Sequence, residues 1–278
     1  MPQEDQTIDT ATRVDVRGGP LAYEEVGAGR GFLWGHGLTA NRAEEDTTGL
    51  LGAWPFPVDE VRRVRYDARG HGASPGPADP CAYRWDELAR DQLALADALG
   101  IETYVAAGAS MGCATALHAA VLAPERVEAL VLVIPPTAWA GRPEQRALYE
   151  AGADLIEQEG LAAFAEVSAQ APPPMLFANL GLDWGEQARR RALALDEATM
   201  PSVLRGAASS DLPPEEAVAA IDVPALILAW TGDATHPVVT AERLDELLPR
   251  SELVVAEDLR AVLSWPERVV SFVGALPA

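Results

Sequence analysis

Polar and apolar residues alternate along Thr12-Arg13-Val14-Asp15-Val16 and, past Gly18-Gly19, again over residues 21–26, which predicts a hairpin at the start of the chain. The grain then changes to short apolar runs, at residues 31–35 and 61–66, each stopped by a glycine-rich turn. Residues 85–99 place Leu88, Leu93, Leu95 and Leu99 at helical spacing. A run at Tyr104-Val105-Ala106-Ala107, a helical stretch over 111–121 and a strongly apolar strand over 127–134 follow. From about 137 to 214 the pattern is helical and amphipathic, broken by Pro172-Pro173-Pro174. Strand and helix alternate again at 223–230, 240–248, 252–256 and 266–273. Such alternation predicts an α/β fold, a mostly parallel sheet of about eight strands with helices on both faces. The expected domains are a core of residues 1–136 and 215–278 and a helical cap of residues 137–214.

Within this frame the five residues Gly108-Ala109-Ser110-Met111-Gly112 carry the strongest chemical signal. A serine between two glycines, where a strand ends and a helix starts, has the context of a nucleophile elbow. The N–H of Met111 then lies at a helix N-terminus, where partial positive charge can stabilise an oxyanion. Composition narrows the rest. About half of the 278 residues are apolar (49%), enough for a substantial core, and the formal charge of −21 argues against nucleic acid or an anionic membrane surface as partner. Cys81 and Cys113 make neither a disulfide framework nor a metal cluster, and Cys113 reads as a small packing residue. No flavin, nucleotide or metal motif is present, so no cofactor is expected; Gly27-Ala28-Gly29 reads as a turn. The acidic start, Met1-Pro2-Gln3-Glu4-Asp5, lacks an apolar signal core, and no apolar run is long enough to span a bilayer. The expectation is a soluble, cytoplasmic protein acting on a small apolar molecule.

Four motifs now fall in one order: Trp34-Gly35-His36-Gly37-Leu38, Tyr66-Asp67-Ala68-Arg69-Gly70-His71-Gly72-Ala73-Ser74, the Ser110 turn, and Thr231-Gly232-Asp233-Ala234-Thr235-His236-Pro237. The chain thereby resembles the α/β-hydrolase superfamily, in its small esterase, lactonase and haloperoxidase-like branch, from about residue 13 to 273. The resemblance implies Ser110 as nucleophile, the backbone N–H groups of Leu38 and Met111 as oxyanion hole, and Asp233 as acid. It also implies a histidine six or seven residues before Pro266. Leu259 or Arg260 stands there instead, and neither can act as base, since leucine has no exchangeable proton and arginine stays protonated.

The chain's four histidines are therefore the candidates. His36 and His71 belong to motifs in which the resemblance gives histidine a structural role. His118 lies two helical turns beyond Ser110, roughly 12 Å along the axis and out of reach. His236, three residues past Asp233, has two readings: it replaces the missing base, or it caps the next helix and lines the pocket. The expected function is a serine hydrolase acting on a small ester, lactone or thioester. The alternatives are a ligand-binding pseudoenzyme and a cofactor-free lyase or cyclase on the same scaffold. Met175, Leu176, Phe177 and Leu180 of the cap would suit a hydrophobic substrate, and equally the cap's own core.

Overall fold

The computed structural model describes residues 12–178 and 180–277; the acidic stretch 1–5 lies outside them. Strands β1 (Thr12–Val16) and β2 (Gly19–Val26) form the expected hairpin, followed by β3 (Arg30–Gly35), helix α1 (Arg42–Thr48) and β4 (Val61–Tyr66). Helix α2 (Trp85–Ala98), β5 (Tyr104–Ala109), α3 (Met111–Leu122) and β6 (Val127–Val133) come next. After an inserted segment bearing α4 (Arg142–Ala169), α5 (Trp184–Leu193) and α6 (Met200–Ala208), helix α7 (Glu215–Ala219) leads back to the sheet. The chain ends with β7 (Ala225–Trp230), α8 (Val238–Leu247), β8 (Ser251–Ala256), α9 (Leu259–Leu263) and α10 (Trp265–Gly274).

The eight strands form one sheet in the order β1-β2-β4-β3-β5-β6-β7-β8. The first three strands in that order pair antiparallel, and every later pairing is parallel. Successive side chains on a strand point to opposite faces, so each central strand feeds two cores. Leu33, Ala106, Leu130, Leu132 and Ile227 pack with Leu88, Leu95, Leu117 and Leu244 of α2, α3 and α8. Phe32, Trp34, Val105, Val131, Leu226 and Leu228 pack on the other side with Trp265, Val269 and Val273 of α10. This double burial is why β5 and β7 are apolar at every position instead of alternating.

Helices α1 and α9 were not expected. Each is short and is started by a polar cap: Asn41 Oδ1 accepts the N–H of Glu44 at 2.9 Å, and Asp258 Oδ1 accepts that of Ala261 at 2.8 Å. Within the insertion, α4 is two helices meeting at Gly160, whose φ of 83° and ψ of 173° break the helical run. Ala153, Ile156, Leu161, Met200, Val203 and Leu204 form its core, together with Tyr83 from the sheet domain. The buried Arg142 ties the insertion's entry to its exit. It donates to the carbonyls of Ser210 (2.8 Å) and Ala207 (2.6 Å) and lies 4.2 Å from the centre of the Trp85 ring. Among the described residues, no helix is long and apolar enough to cross a membrane.

Candidate active site

Ser110 stands between β5 and α3 with φ of 51° and ψ of −108°. A positive φ in a residue with a side chain costs about 1–3 kcal/mol and persists only where the surroundings enforce it. Here they do. The Ser110 N–H is held by the Val133 carbonyl at 3.1 Å, and its own carbonyl receives the N–H of Cys113 at 2.9 Å. The two flanking glycines let the turn close against β3. A Cβ added to Gly112 would lie 2.0 Å from the Gly35 carbonyl oxygen, and one added to Gly108 would lie 2.5 Å from the Gly112 backbone. Cys113 is buried in the same turn with its thiol directed at the carbonyls of Gly108 and Val133, both at 3.1 Å, and burial pushes that thiol up. It is a packing group and not a reactive one.

Asp233 and His236 come from the loop between β7 and α8. The Asp233 carboxylate folds this loop around itself. Its Oδ1 accepts the backbone N–H of Thr235 (2.9 Å) and of His236 (3.3 Å). Its Oδ2 accepts His236 Nδ1 (2.8 Å) and the indole Nε1 of Trp230 (2.9 Å). The other imidazole nitrogen, Nε2, is 2.9 Å from Ser110 Oγ. Since Nδ1 faces a carboxylate, it carries the proton, leaving Nε2 as an acceptor for the serine hydroxyl. Burial pushes the Asp233 carboxyl up, but the bonds from His236, Trp230 and the Thr235 N–H outweigh it and hold the acid down at about 2. A three-residue separation thus suffices to align ring and carboxylate, because the backbone of the loop turns on Oδ1.

Beside Ser110 runs the turn from Gly37 to Ala40, closed by a 3.1 Å bond from the Ala40 N–H to the Gly37 carbonyl. A Cβ on Gly37 would lie 3.6 Å from the Ser110 Cβ, so the Leu38 N–H belongs to a segment packed against the serine. Among the described residues neither the Leu38 nor the Met111 N–H is bonded to a backbone carbonyl. This turn is anchored from behind by Asp67. Its Oδ1 accepts the Arg42 N–H at 2.9 Å and its Oδ2 the Ala73 N–H at 3.0 Å, joining α1 to the Arg69-to-Ser74 loop.

A model of the α/β-hydrolase fold matches residues 58–265. Over 207 residues the chain is 30% identical to the 3-oxoadipate enol-lactonase 2 of Acinetobacter baylyi, covering 72% of each protein. It is also 30% identical to a pimeloyl-[acyl-carrier protein] methyl ester esterase of Nitrosomonas europaea, over 81% of this chain and 90% of that one. The chain belongs to the α/β-hydrolase fold family. In its fold it resembles the enol-lactonase of Burkholderia xenovorans, with a TM-score of 0.78 at 22% identity over 95% of this chain and all of that one.

As an α/β hydrolase the chain departs from the resemblance at one place, and the fold gives the physical content of the departure. The segment after β8, where the resemblance implies a histidine, is α9. Its Val262 is buried, and Trp265 just beyond it stacks on Trp230 with ring centres 5.6 Å apart and planes at 10°. The remaining three histidines each bond a backbone group through at least one ring nitrogen. His36 donates to the Gly37 carbonyl (2.8 Å) and accepts the Ala68 N–H (2.9 Å). His71 reaches the Arg69 carbonyl (2.9 Å), and burial lowers it to about 3. His118 meets the Asp211 carbonyl at 3.0 Å. Of the apolar insertion residues named above, Phe177 is buried against Trp230, while Met175 is 69% exposed. Two site residues went unread in the sequence, Asp67 and Trp230. The signal for Trp230 was its place at the last strand position, three residues before Asp233.

Proposed function

We propose that this protein is a serine hydrolase of small carboxylic esters, lactones or thioesters, with Ser110 as nucleophile, His236 as base and Asp233 as the acid that orients it. The single observation that carries this reading is the continuous line from Asp233 Oδ2 through both imidazole nitrogens to Ser110 Oγ, with contacts of 2.8 and 2.9 Å. Both lie within the reach that proton transfer needs. The relatives named as a lactonase and a methyl ester esterase support the substrate class.

In this mechanism Ser110 Oγ attacks the substrate carbonyl carbon as His236 Nε2 takes the hydroxyl proton. The carbonyl oxygen gains the negative charge and is met by the N–H groups of Leu38 and Met111. Asp233 keeps the Nδ1 proton in place and balances the imidazolium charge, without itself becoming protonated. Collapse of the tetrahedral species breaks the bond to the leaving oxygen or sulfur, which takes the proton from Nε2. A water molecule then gives its proton to Nε2, attacks the acyl-enzyme and frees the acid, restoring the Ser110 hydroxyl. The helical insertion acts as a cap that shapes the acyl or alcohol pocket.

A fluorophosphonate probe tests the reading directly. Labelling of one site on the wild-type chain, abolished in Ser110→Ala and reduced by about 10³-fold or more in His236→Ala, is the expected outcome. An unlabelled wild-type chain that also leaves activated esters intact would point to a binding protein on this scaffold.

A further inference from the structure

We infer that Trp230 is a positioning residue for the acid and base, braced from the insertion by Phe177. The inference rests on the hydrolase reading for its consequence in rate, but its geometry stands apart. Trp230 ends β7 and is buried, and its indole N–H donates to the same Asp233 oxygen that holds His236 Nδ1. Two rings fix the indole plane. Trp265 stacks on one face, and Phe177 meets it edge-on at 5.0 Å and 83°.

Phe177 is itself held. Its carbonyl accepts the Trp184 indole N–H at 3.2 Å, which binds the brace to the start of α5. Two residues earlier, Met175 N–H donates to the Gly232 carbonyl at 3.2 Å, directly beside Asp233. Gly232 has a φ of 75°, and a Cβ there would lie 2.5 Å from that of Met175, so only glycine lets the insertion come this close. The acid–base loop is therefore clamped from both sides, by the α10 side through Trp265 and by the insertion through residues 175–177.

The chemistry of the indole follows from what Oδ2 must do. One oxygen shares its charge between two N–H donors, and a rigid donor on a stacked ring sets where the lone pairs point. Without it, Oδ2 keeps the imidazole as sole partner, and only the two backbone bonds to Oδ1 restrain rotation of the carboxylate and the ring it holds. The imidazole then spends less time with Nε2 on the serine.

Trp230→Phe deletes the N–H and the indole's second ring with it, keeping one aromatic ring to pack against Trp265 and Phe177. The expected result is a fluorophosphonate labelling rate lowered about ten- to hundredfold in a chain that still folds, with a lower thermal midpoint from the lost ring volume. The downfield proton resonance of the Nδ1–Oδ2 bond, identified by its loss in His236→Ala, should move at the same time. Phe177→Ala, with the N–H retained, should shift that resonance in the same sense by less. In case the Trp230 variant fails to fold, the wild-type indole N–H offers a second reading: it should exchange slowly with solvent, and its resonance should move in Asp233→Ala. A folded Trp230→Phe with an unmoved downfield proton and labelling within twofold of wild type would overturn the inference. So would an indole resonance indifferent to Asp233→Ala. If the wild type is not labelled at all, the hydrolase reading falls, while the two resonances still decide whether Trp230 positions the pair.

Discussion

Replacing Asp233 by asparagine isolates what the carboxylate does, because the change keeps its shape while exchanging one acceptor for a donor. Four N–H groups converge on this side chain: Thr235 and His236 backbone on Oδ1, Trp230 and the imidazole on Oδ2. An asparagine can satisfy only one of these pairs. With its oxygen toward Trp230 and the imidazole, the amide NH₂ faces two backbone donors and both are stranded. With its NH₂ toward Trp230 and the imidazole, one partner can adapt: the imidazole moves its proton from Nδ1 to Nε2 and accepts the amide, stranding Trp230 alone. One stranded donor fewer is worth about 1–3 kcal/mol, so the second orientation prevails. It leaves Nε2 protonated opposite Ser110 Oγ, unable to take the serine proton. A loss of about 10³–10⁴ in rate, or about 4–5.5 kcal/mol of transition-state stabilisation, follows. The assay is the second-order rate of fluorophosphonate labelling followed by intact mass, with the thermal midpoint measured on the same samples. A folded Asp233→Asn chain labelled within tenfold of wild type would refute the role assigned to the carboxylate.

Two further outcomes follow from the same geometry. Folding favours ionised Asp233, whose carboxyl is held at about 2 against an ordinary 3.8, so the unfolded chain binds this proton first as pH falls. Its stabilising contribution, up to about 2 kcal/mol, is complete above pH 4 and lost between about 4 and 2; denaturant titrations across this window should find Asp233→Asn flatter than wild type, and parallel curves would contradict the assignment. Gly112→Ala drives a Cβ into the Gly35 carbonyl, 2.0 Å away on a central strand, and should cost about 1–3 kcal/mol or more by denaturant midpoint. Gly141→Ala, with open space around the new Cβ, should stay within about 0.5 kcal/mol of wild type, and equal effects at the two sites would refute the close-packing account.

Long periodic segments were readable because they are buried on a regular face. The apolar runs that became β5, β6 and β7 and the helical spacing of Leu88 and Leu95 could fit few other arrangements. Short helices were not readable, since α1 and α9 have seven and five residues and are held by capping carboxamide or carboxylate groups instead of an apolar stripe. The serine turn was legible for a different reason: no residue but glycine fits at 108 or 112 once the turn packs on β3. His236 was left with two readings because spacing alone does not state where a loop folds. What brings its ring between Asp233 and Ser110 is the turn of residues 235 and 236 onto Asp233 Oδ1, a backbone property of one loop. Trp230 was hidden by burial, since its ring reads as core and only its N–H has a polar task.

With acid and base on one loop, as proposed, what the site depends on changes. Serine, histidine and acid usually come together only if three separate segments are each held in register; here two suffice, the Ser110 turn and residues 231–237. Both are tied to the end of β6. The Ser110 N–H reaches the Val133 carbonyl at 3.1 Å, the Ile134 N–H reaches Leu228 at 2.6 Å, and the Thr137 N–H reaches the Thr235 carbonyl at 3.2 Å. The segment after β8, relieved of any proton chemistry, is free to turn Val262 and Trp265 inward. Trp265 then supplies the flat surface on which Trp230 stacks. The segment that carries no histidine thereby still supports the one at 236, through two rings and a single indole N–H.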